Sequence, residues 1–359
     1  MSPDGKVQVK TEDGKVVNNI PPENLKETDK VTDIKPGDKV TMPDGKKGEV
    51  ANVSPDGKIQ VKTEDGKVVD NIPKDILKKE KQNGVYRNDL SNKSLAIILN
   101  KPSTRTKVSF ELAMYELGGH VINLNYNDLQ LSRSETIGDT ANALSCYINV
   151  IVARTNHSDL IQLSNYSKVP VINGLSELYH PCQILSDLQT IREIQPNLSK
   201  TKITWIGDGN NVCNSLILGC AKLGISVTIS CPKGYEPNSE VFNYSKKISQ
   251  NNDSNIEIIY DPNQAVLDST VIMTDTFVSM GVESEKEIRL KSFLPKYQVN
   301  SRLLKNASVD YVFMHCLPAH RNHEVTNDVI DGSHSVVWQE AENRLHTQKS
   351  LLSLILNDK

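Results

Sequence analysis

The stretch "YVFMHCLPAHRNHEV", residues 311 to 325, sets His315, Cys316, His320 and His323 within nine positions behind an apolar run. Side chains of these types ligate zinc, supply a thiolate nucleophile, or line a polar corner that holds a substrate. The spacing alone permits all three. A structural zinc site needs about four convergent ligands. This segment has one strong cysteine, followed by Leu317-Pro318, which bends the chain and interrupts regular ligand spacing.

A second segment, "SLAIILNKPSTRTKVSFELAMYELGG", reads as a strand, a polar turn and an amphipathic helix ending at Gly118-Gly119. Ser103, Thr104, Arg105 and Thr106 stand where that helix begins. Free backbone N–H groups, the positive end of the helix dipole, hydroxyls and a guanidinium converge there, which suits an anion with several oxygens. Taken alone, the same residues also fit a plain N-cap beside an exposed arginine. A third segment, "WIGDGNNVCNSL", has a glycine turn between strand and helix that invites a dinucleotide reading. Val212 stands where the third glycine belongs, and Cys231-Pro232 follows the next strand where a ribose-binding acid is expected, so that reading weakens.

What must position these residues is an alternation of buried strands and helices. "SLAIILN" (94–100), "VINLN" (121–125), "NVIVAR" (149–154) and "VPVIN" (169–173) read as strands of one parallel sheet. "TKITWIG", "SVTISCP", "STVIMTD", "YVFMHCL" and "HSVVWQE" repeat the alternation in a second. The spacing of Ile184, Leu185, Leu188 and Ile191 in "HPCQILSDLQTIREIQ" predicts a helix that bridges the two. The expected fold class is α/β, with two tandem parallel-sheet domains preceded by a small all-β, barrel-like segment.

That leading segment differs in texture. "SPDGKVQVKTEDGKVVNNIP" at 2–21 returns almost unchanged at 54–73, and the first 80 residues contain no aromatic, arginine, histidine or cysteine. Short alternating runs between Pro-Asp-Gly and Glu-Asp-Gly turns read as hairpins, and about five strands from residue 34 onward match a small β-barrel. The expected divisions are a partial repeat over 1–33, a barrel-like domain over 34–80 and a charged linker over 81–93. Across all 359 residues the net charge is −3, which exerts no overall pull toward nucleic acid. No apolar run approaches the roughly 18 residues of a membrane helix, and the first residues resemble neither a signal nor a transit peptide. Six cysteines without C-x-x-C pairs read as free thiols in a reducing compartment, and the cytoplasm is the expected location.

"KPSTRTKVSFE", "LYHPCQILSD" and "FMHCLPAHRNHEV", in that order, resemble the carbamoyltransferases; "WIGDGNN", "TDTFVSMG" and "EAENRLHTQKSLL" narrow the resemblance to the ornithine carbamoyltransferases. It runs from about Gly84 to Leu356. The resemblance implies a first domain, 94–185 completed by a C-terminal helix over 342–357, that binds carbamoyl phosphate. It implies a second, 186–341, that binds L-ornithine. Ser103, Thr104, Arg105 and Thr106 would cradle the phosphate with Arg154 as a second guanidinium, and Gln130 would reach the phosphate of a neighbouring subunit in a homotrimer. His180, Gln183, Cys316, Leu317 and Arg344 are implied around the carbamoyl group, with Arg105, His180, Cys316 and Arg344 as the catalytic set. Asn211, Asp275, Ser279 and Met280 are implied for ornithine, and Cys316 faces its side chain beside a cis Leu317-Pro318 bond.

The implied chemistry is direct attack of the neutral δ-amine on the carbamoyl carbon, giving citrulline and phosphate with no cofactor and no metal. Asp275 and Cys316 both stand as candidates to take the amine proton, and His320 and His323 become loop residues rather than ligands. Alternatives are carbamoyl transfer to aspartate, putrescine or an acylated ornithine on the same scaffold, and a noncatalytic carbamoyltransferase-like binding protein. Family members usually begin with a helical segment that packs beside the C-terminal helix. The turn-rich repeat stands in its place here, which is expected to leave an apolar surface uncovered.

Overall fold

The computed structural model describes residues 88–100, 102–279 and 281–357, together with five strands of a separate unit formed by residues 1–79. In that unit, β1 (Val7–Lys10) and β2 (Val16–Ile20) pair antiparallel, and β3 (Lys39–Thr41), β4 (Lys47–Val53) and β5 (Ile59–Thr63) form a three-stranded antiparallel sheet. β1 and β5 are the equivalent segments of the two repeat copies. Closure into a barrel, and the linker up to residue 87, lie outside the described residues.

The unit from residue 80 onward holds two parallel sheets. The first contains β6 (Ser94–Leu99), β7 (His120–Asn125), β8 (Val150–Arg154) and β9 (Val171–Leu175) in the order β7-β6-β8-β9. β8 is buried at every residue because it lies inside the sheet with side chains packed on both faces. Leu95, Ile97, Val150 and Val152 enter one core, and Ala96, Ile98, Ile151 and Ala153 enter the other. This two-sided burial is why these strands read as continuous apolar runs rather than as alternating ones.

The second sheet contains β10 (Lys202–Ile206), β11 (Ser226–Ser230), β12 (Ile256–Ile258), β13 (Val271–Thr274) and β14 (Val312–His315), ordered β12-β11-β10-β13-β14. The short β12 escaped the sequence pattern because its three residues include one glutamate. "HSVVWQE" is not a strand. Ser335 makes one isolated bridge to Phe313, and the chain then enters a helix at Val337. Two adjacent valines are too short a β signal to outweigh the run of helix formers that follows, "QEAENRLHTQKSLLSLIL".

The helices are α1 (Thr104–Glu116), α2 (Ile137–Ser145), α3 (His157–Tyr166), α4 (Pro181–Ile194), α5 (Asn211–Leu223) and α6 (Ser239–Asn251), then the short α7 (Pro262–Ala265), α8 (Lys286–Phe293), α9 (Ser301–Leu304) and α10 (Asn327–Ile330), and finally α11 (Val337–Asn357). Among the described residues, no helix is long and apolar enough to cross a membrane.

Two helices join the sheets. α4 places Ile184 and Ile191 in the core of the second sheet and Cys182 in that of the first; α11 contributes Val337 to the second and Leu345, Leu352 and Leu356 to the first. Side chains fasten the pair: Ser186 Oγ donates to the Glu340 carbonyl at 2.6 Å, and Asn343 Nδ2 donates to Thr190 Oγ1 at 2.7 Å. Fully burying each such Leu or Ile is worth roughly 1.5–3 kcal/mol, so both helices are held firmly where they cross between the sheets. The carboxyl ends of β6, β8, β10, β13 and β14 carry the segments that sequence singled out, as expected for ligand sites in open α/β sheets.

Candidate active site

At the first sheet, the parallel register pairs Leu99 of β6 with Arg154 of β8, so the turn after β6 and the Arg154 side chain emerge together. Ser103 caps α1 by accepting the Thr106 N–H at 3.4 Å, and Arg154 Nη1 donates to the same Ser103 hydroxyl at 3.2 Å. Thr106 is buried, Arg105 half-buried and Thr104 exposed. His180 precedes α4, with Pro181 supplying the first helical residue, and its own N–H donates to Ser215 Oγ at 2.7 Å. Arg344 arrives from α11 and donates through Nη1 to Gln183 Oε1 at 2.6 Å.

This corner gathers more positive charge and more donors than its own residues satisfy. Burial, then Arg344 and Arg105, push the Arg154 guanidinium down to about 10. Burial, then Arg344, Arg154 and Arg105, push His180 well below the usual histidine range, so its ring is neutral at pH 7. Among the described residues, Thr106 Oγ1, Arg154 Nε, His180 Nδ1 and both Nε and Nη2 of Arg344 are buried without a hydrogen-bond partner. Buried polar atoms are rarely left so, and a cluster of them beside three guanidiniums is the signature of an oxyanion site.

The second sheet supplies a corner of opposite character. Asp275, just past β13, accepts the Asn210 amide through Oδ2 at 2.8 Å and the Cys316 thiol through Oδ1 at 3.3 Å. Burial, then Asp275, push the Cys316 thiol well above its ordinary range, so it is a protonated donor and not a nucleophile. Asn210 also caps α5, its Oδ1 accepting the N–H groups of Val212 and Cys213 at 3.0 and 3.1 Å. Asn211, singled out from the sequence, donates its amide to the Ser176 carbonyl at 2.6 Å and so ties this turn to the loop after β9. Sequence reasoning missed Asn210, for which the only signal was its place in the Asn-Asn pair before the helix.

The glycine turn is closed against its own chain. A Cβ on Gly209 would lie 2.2 Å from the Pro237 nitrogen, so the missing side chain is needed for backbone packing rather than for pyrophosphate approach. Asp208 is ion-paired with Arg289, whose Nε holds the Phe277 carbonyl at 2.7 Å and so anchors the segment after Asp275. Ser279 Oγ is buried without a partner among the described residues, whereas Met280 lies outside them. Gln130 is exposed on a 3-10 turn, Gln130–Arg133, and among the described residues no hydrogen bond ties its side chain to this cluster.

Asp275, His315 and Cys316 place ligand atoms within 4.8 Å of one another, yet they do not fit a metal. His315 Nδ1 accepts the Leu317 N–H at 2.9 Å, which leaves Nε2 as the protonated nitrogen facing Glu324 at 3.3 Å. Both ring nitrogens are thus engaged, and the thiol serves Asp275. All three groups are thus engaged within the protein. Leu317 adopts φ +56° before a cis Leu317-Pro318 bond. His320 is exposed and stacks on His323 with ring centroids 6.0 Å apart, and its Nδ1 lies 3.0 Å from Thr276 Oγ1.

Comparison with known proteins agrees with this geometry. Residues 71–193 match the family model for the aspartate/ornithine carbamoyltransferase carbamoyl-P binding domain, and residues 199–355 match that for the Asp/Orn binding domain. The chain is 53% identical over 268 residues to an ornithine carbamoyltransferase of Pyrococcus horikoshii, covering 74% of this chain and 84% of that one. With an Archaeoglobus fulgidus ornithine carbamoyltransferase the identity is 49% over 281 residues, 78% of this chain and 90% of the relative. The solved ornithine carbamoyltransferase of Pyrococcus furiosus superposes with a TM-score of 0.76 at 49% identity, over 80% of this chain and 91% of that one. The anabolic enzyme of Campylobacter jejuni gives a TM-score of 0.74 at 39% identity, covering 80% and 94%. With both family domains matched in order and relatives about half identical over most of its length, the chain belongs to the aspartate/ornithine carbamoyltransferase family.

Proposed function

We propose that the protein transfers the carbamoyl group of carbamoyl phosphate to the δ-amine of L-ornithine, releasing L-citrulline and phosphate. One observation carries the reading: buried, unpartnered donors of Thr106, Arg154, His180 and Arg344 stand in one corner, next to a second corner built on the Asp275 carboxylate. The first suits a phosphate and a developing oxyanion. The second suits a substrate that brings ammonium groups, since a dicarboxylate such as aspartate would be repelled by Asp275. The names of the relatives point the same way, and one of them, from Pyrococcus furiosus, is called anabolic.

In this mechanism Ser103, Thr104, Arg105, Thr106 and Arg154 hold the phosphate, and Gln183 and the Leu317 carbonyl hold the carbamoyl nitrogen. Asn211, Asp275, Ser279 and Met280 hold ornithine. The δ-nitrogen forms a bond to the carbamoyl carbon while the carbonyl electron pair moves to oxygen, where Arg105, His180 and Arg344 donate. The pair then returns, the bond to the phosphate oxygen breaks with its electrons going to phosphate, and the nitrogen sheds one proton. Cys316, held as a thiol, is no base in this state, so the Asp275 carboxylate is the local acceptor. Fixed orientation is worth up to about 7–11 kcal/mol in well-aligned systems, and each oxyanion donor about 2.7–4 kcal/mol.

The same reading places residues 94–185 and the 342–357 helix on the carbamoyl phosphate side and 186–341 on the ornithine side. It includes a cytoplasmic homotrimer in which Gln130 completes a neighbour's phosphate site. Citrulline formation with ornithine, compared with the products from aspartate and putrescine, tests the activity. Absence of turnover with ornithine in folded protein would sink it. Sedimentation of the intact chain tests the trimer.

A further inference from the structure

Gln183 is held by an acid pair that the reaction itself does not use. Its Nε2 donates to Asp187 Oδ1 at 2.8 Å and to Glu340 Oε1 at 3.0 Å, while its Oε1 accepts from Arg344 Nη1 at 2.6 Å. Rotating the amide by half a turn would set its oxygen against two acidic oxygens and its NH2 against a guanidinium. Three hydrogen bonds would be lost, so the orientation is determined by its partners.

The second oxygen of Glu340 accepts the His315 N–H at 2.9 Å, and its backbone carbonyl accepts Ser186 Oγ. One side chain therefore registers α4, the end of β14 and α11 against each other. Burial pushes both carboxyls up, Asp187 to about 7, and the charge of Asp187 adds to the rise at Glu340.

We infer that Glu340 and Asp187 are positioning residues that lock Gln183 as a hydrogen-bond acceptor toward the substrate, and that this lock selects a carbamoyl group over an acyl group of the same shape. A carbamoyl group offers an NH2 donor where an acetyl group offers only a methyl. An acceptor at this position rewards the first and gives nothing to the second. A freely flipping amide would lose that distinction.

The inference rests on the carbamoyl phosphate reading of the site, and binding measurements separate the two. Titration calorimetry with carbamoyl phosphate, acetyl phosphate and inorganic phosphate requires no turnover, so a wild-type protein that binds selectively but makes no citrulline counts against the activity alone. In Glu340→Gln, keeping the His315 contact turns the new NH2 toward Gln183 Nε2, so one of the three bonds that hold the amide becomes a donor–donor contact and the lock loosens. The preference for carbamoyl over acetyl phosphate should then fall by about tenfold, the worth of one lost hydrogen bond, with inorganic phosphate affinity nearly unchanged. The swap Gln183→Glu with Glu340→Gln restores an acceptor and should recover most of that preference.

Asp187→Asn presents its own acceptor or donor to Gln183, and provides a second reading, with a smaller loss expected, if Glu340→Gln fails to fold. An unchanged carbamoyl-to-acetyl ratio in the folded single variants overturns the inference. So does an equal loss of all three ligands, which would mark the pair as merely structural.

Discussion

The two corners of the site are built on opposite principles. At the phosphate corner, burial and like charge work against the protein: three guanidiniums crowd a neutral His180, and five buried polar atoms have no partner among the described residues. At the Asp275 corner, Asn210, Cys316 and Asp275 satisfy one another. Under the proposed function, the first corner carries a cost that an arriving dianion relieves, and its residues act mainly on affinity for the anion and on the oxyanion. The second must exchange internal hydrogen bonds for substrate ones, so its residues act on recognition of the amine-bearing partner.

The comparison breaks most visibly at Arg105. Arg105→Ala, at a half-buried position that the fold tolerates, should lower kcat/KM by about a thousandfold or more, because a guanidinium serving both phosphate and oxyanion is removed. A loss confined to the ornithine KM would contradict the division between corners. His180→Gln should lower kcat by about a hundredfold.

The same variant reads the electrostatics. The folded pKa of His180 is depressed, so below about pH 6.5 the unfolded chain takes up a proton that the folded chain refuses. Stability therefore falls as pH falls below that point, by up to about 1.4 kcal/mol per pH unit from this group, until the depressed folded pKa is reached. Denaturant unfolding at pH 5 to 7 should show a shallower slope in His180→Gln.

Smaller effects sharpen the other corner. Cys316→Ala should raise the ornithine KM by about tenfold, the loss of one thiol contact, while carbamoyl phosphate affinity stays within about threefold. Equal losses for both substrates would argue against Cys316 as a residue of the ornithine side. Asn210→Ala removes a helix cap as well as a contact to Asp275, and should cost about 1 kcal/mol of stability alongside a weaker ornithine KM. The smallest change is expected on removing residues 1–70, ahead of the family match at 71. The ornithine KM should move by no more than about twofold.

Much of this was legible beforehand. Buried parallel strands announce themselves as apolar runs, and the helix start at Ser103 follows from its cap, so β6, β8, β10, β13 and β14 and the start of α1 were readable. The failures have physical causes. Val336 and Val337 have β-forming side chains, yet helix-forming residues after them decide the segment. Asn210 and Asn211 are chemically identical, and only the turn geometry sends one to Asp275 and the other to Ser176.

By itself the sequence determined the α/β class, the capped helix start at Ser103 and the family likeness, because hydrophobic period, capping chemistry and local motif are properties of neighbouring residues. Only the tertiary structure decided which polar groups meet. Gln183 and Glu340 are 157 positions apart, and Cys316 and Asp275 are 41 apart. Whether a carboxyl is paired, whether a histidine has a free lone pair, and whether a thiol is reactive depend on partners brought together by the packing of α4, α11 and the strand ends. The cluster of His315, Cys316, His320 and His323 is dispersed by that packing: His315 is taken by Glu324 and Glu340, Cys316 by Asp275, and exposed His320 stacks on half-buried His323.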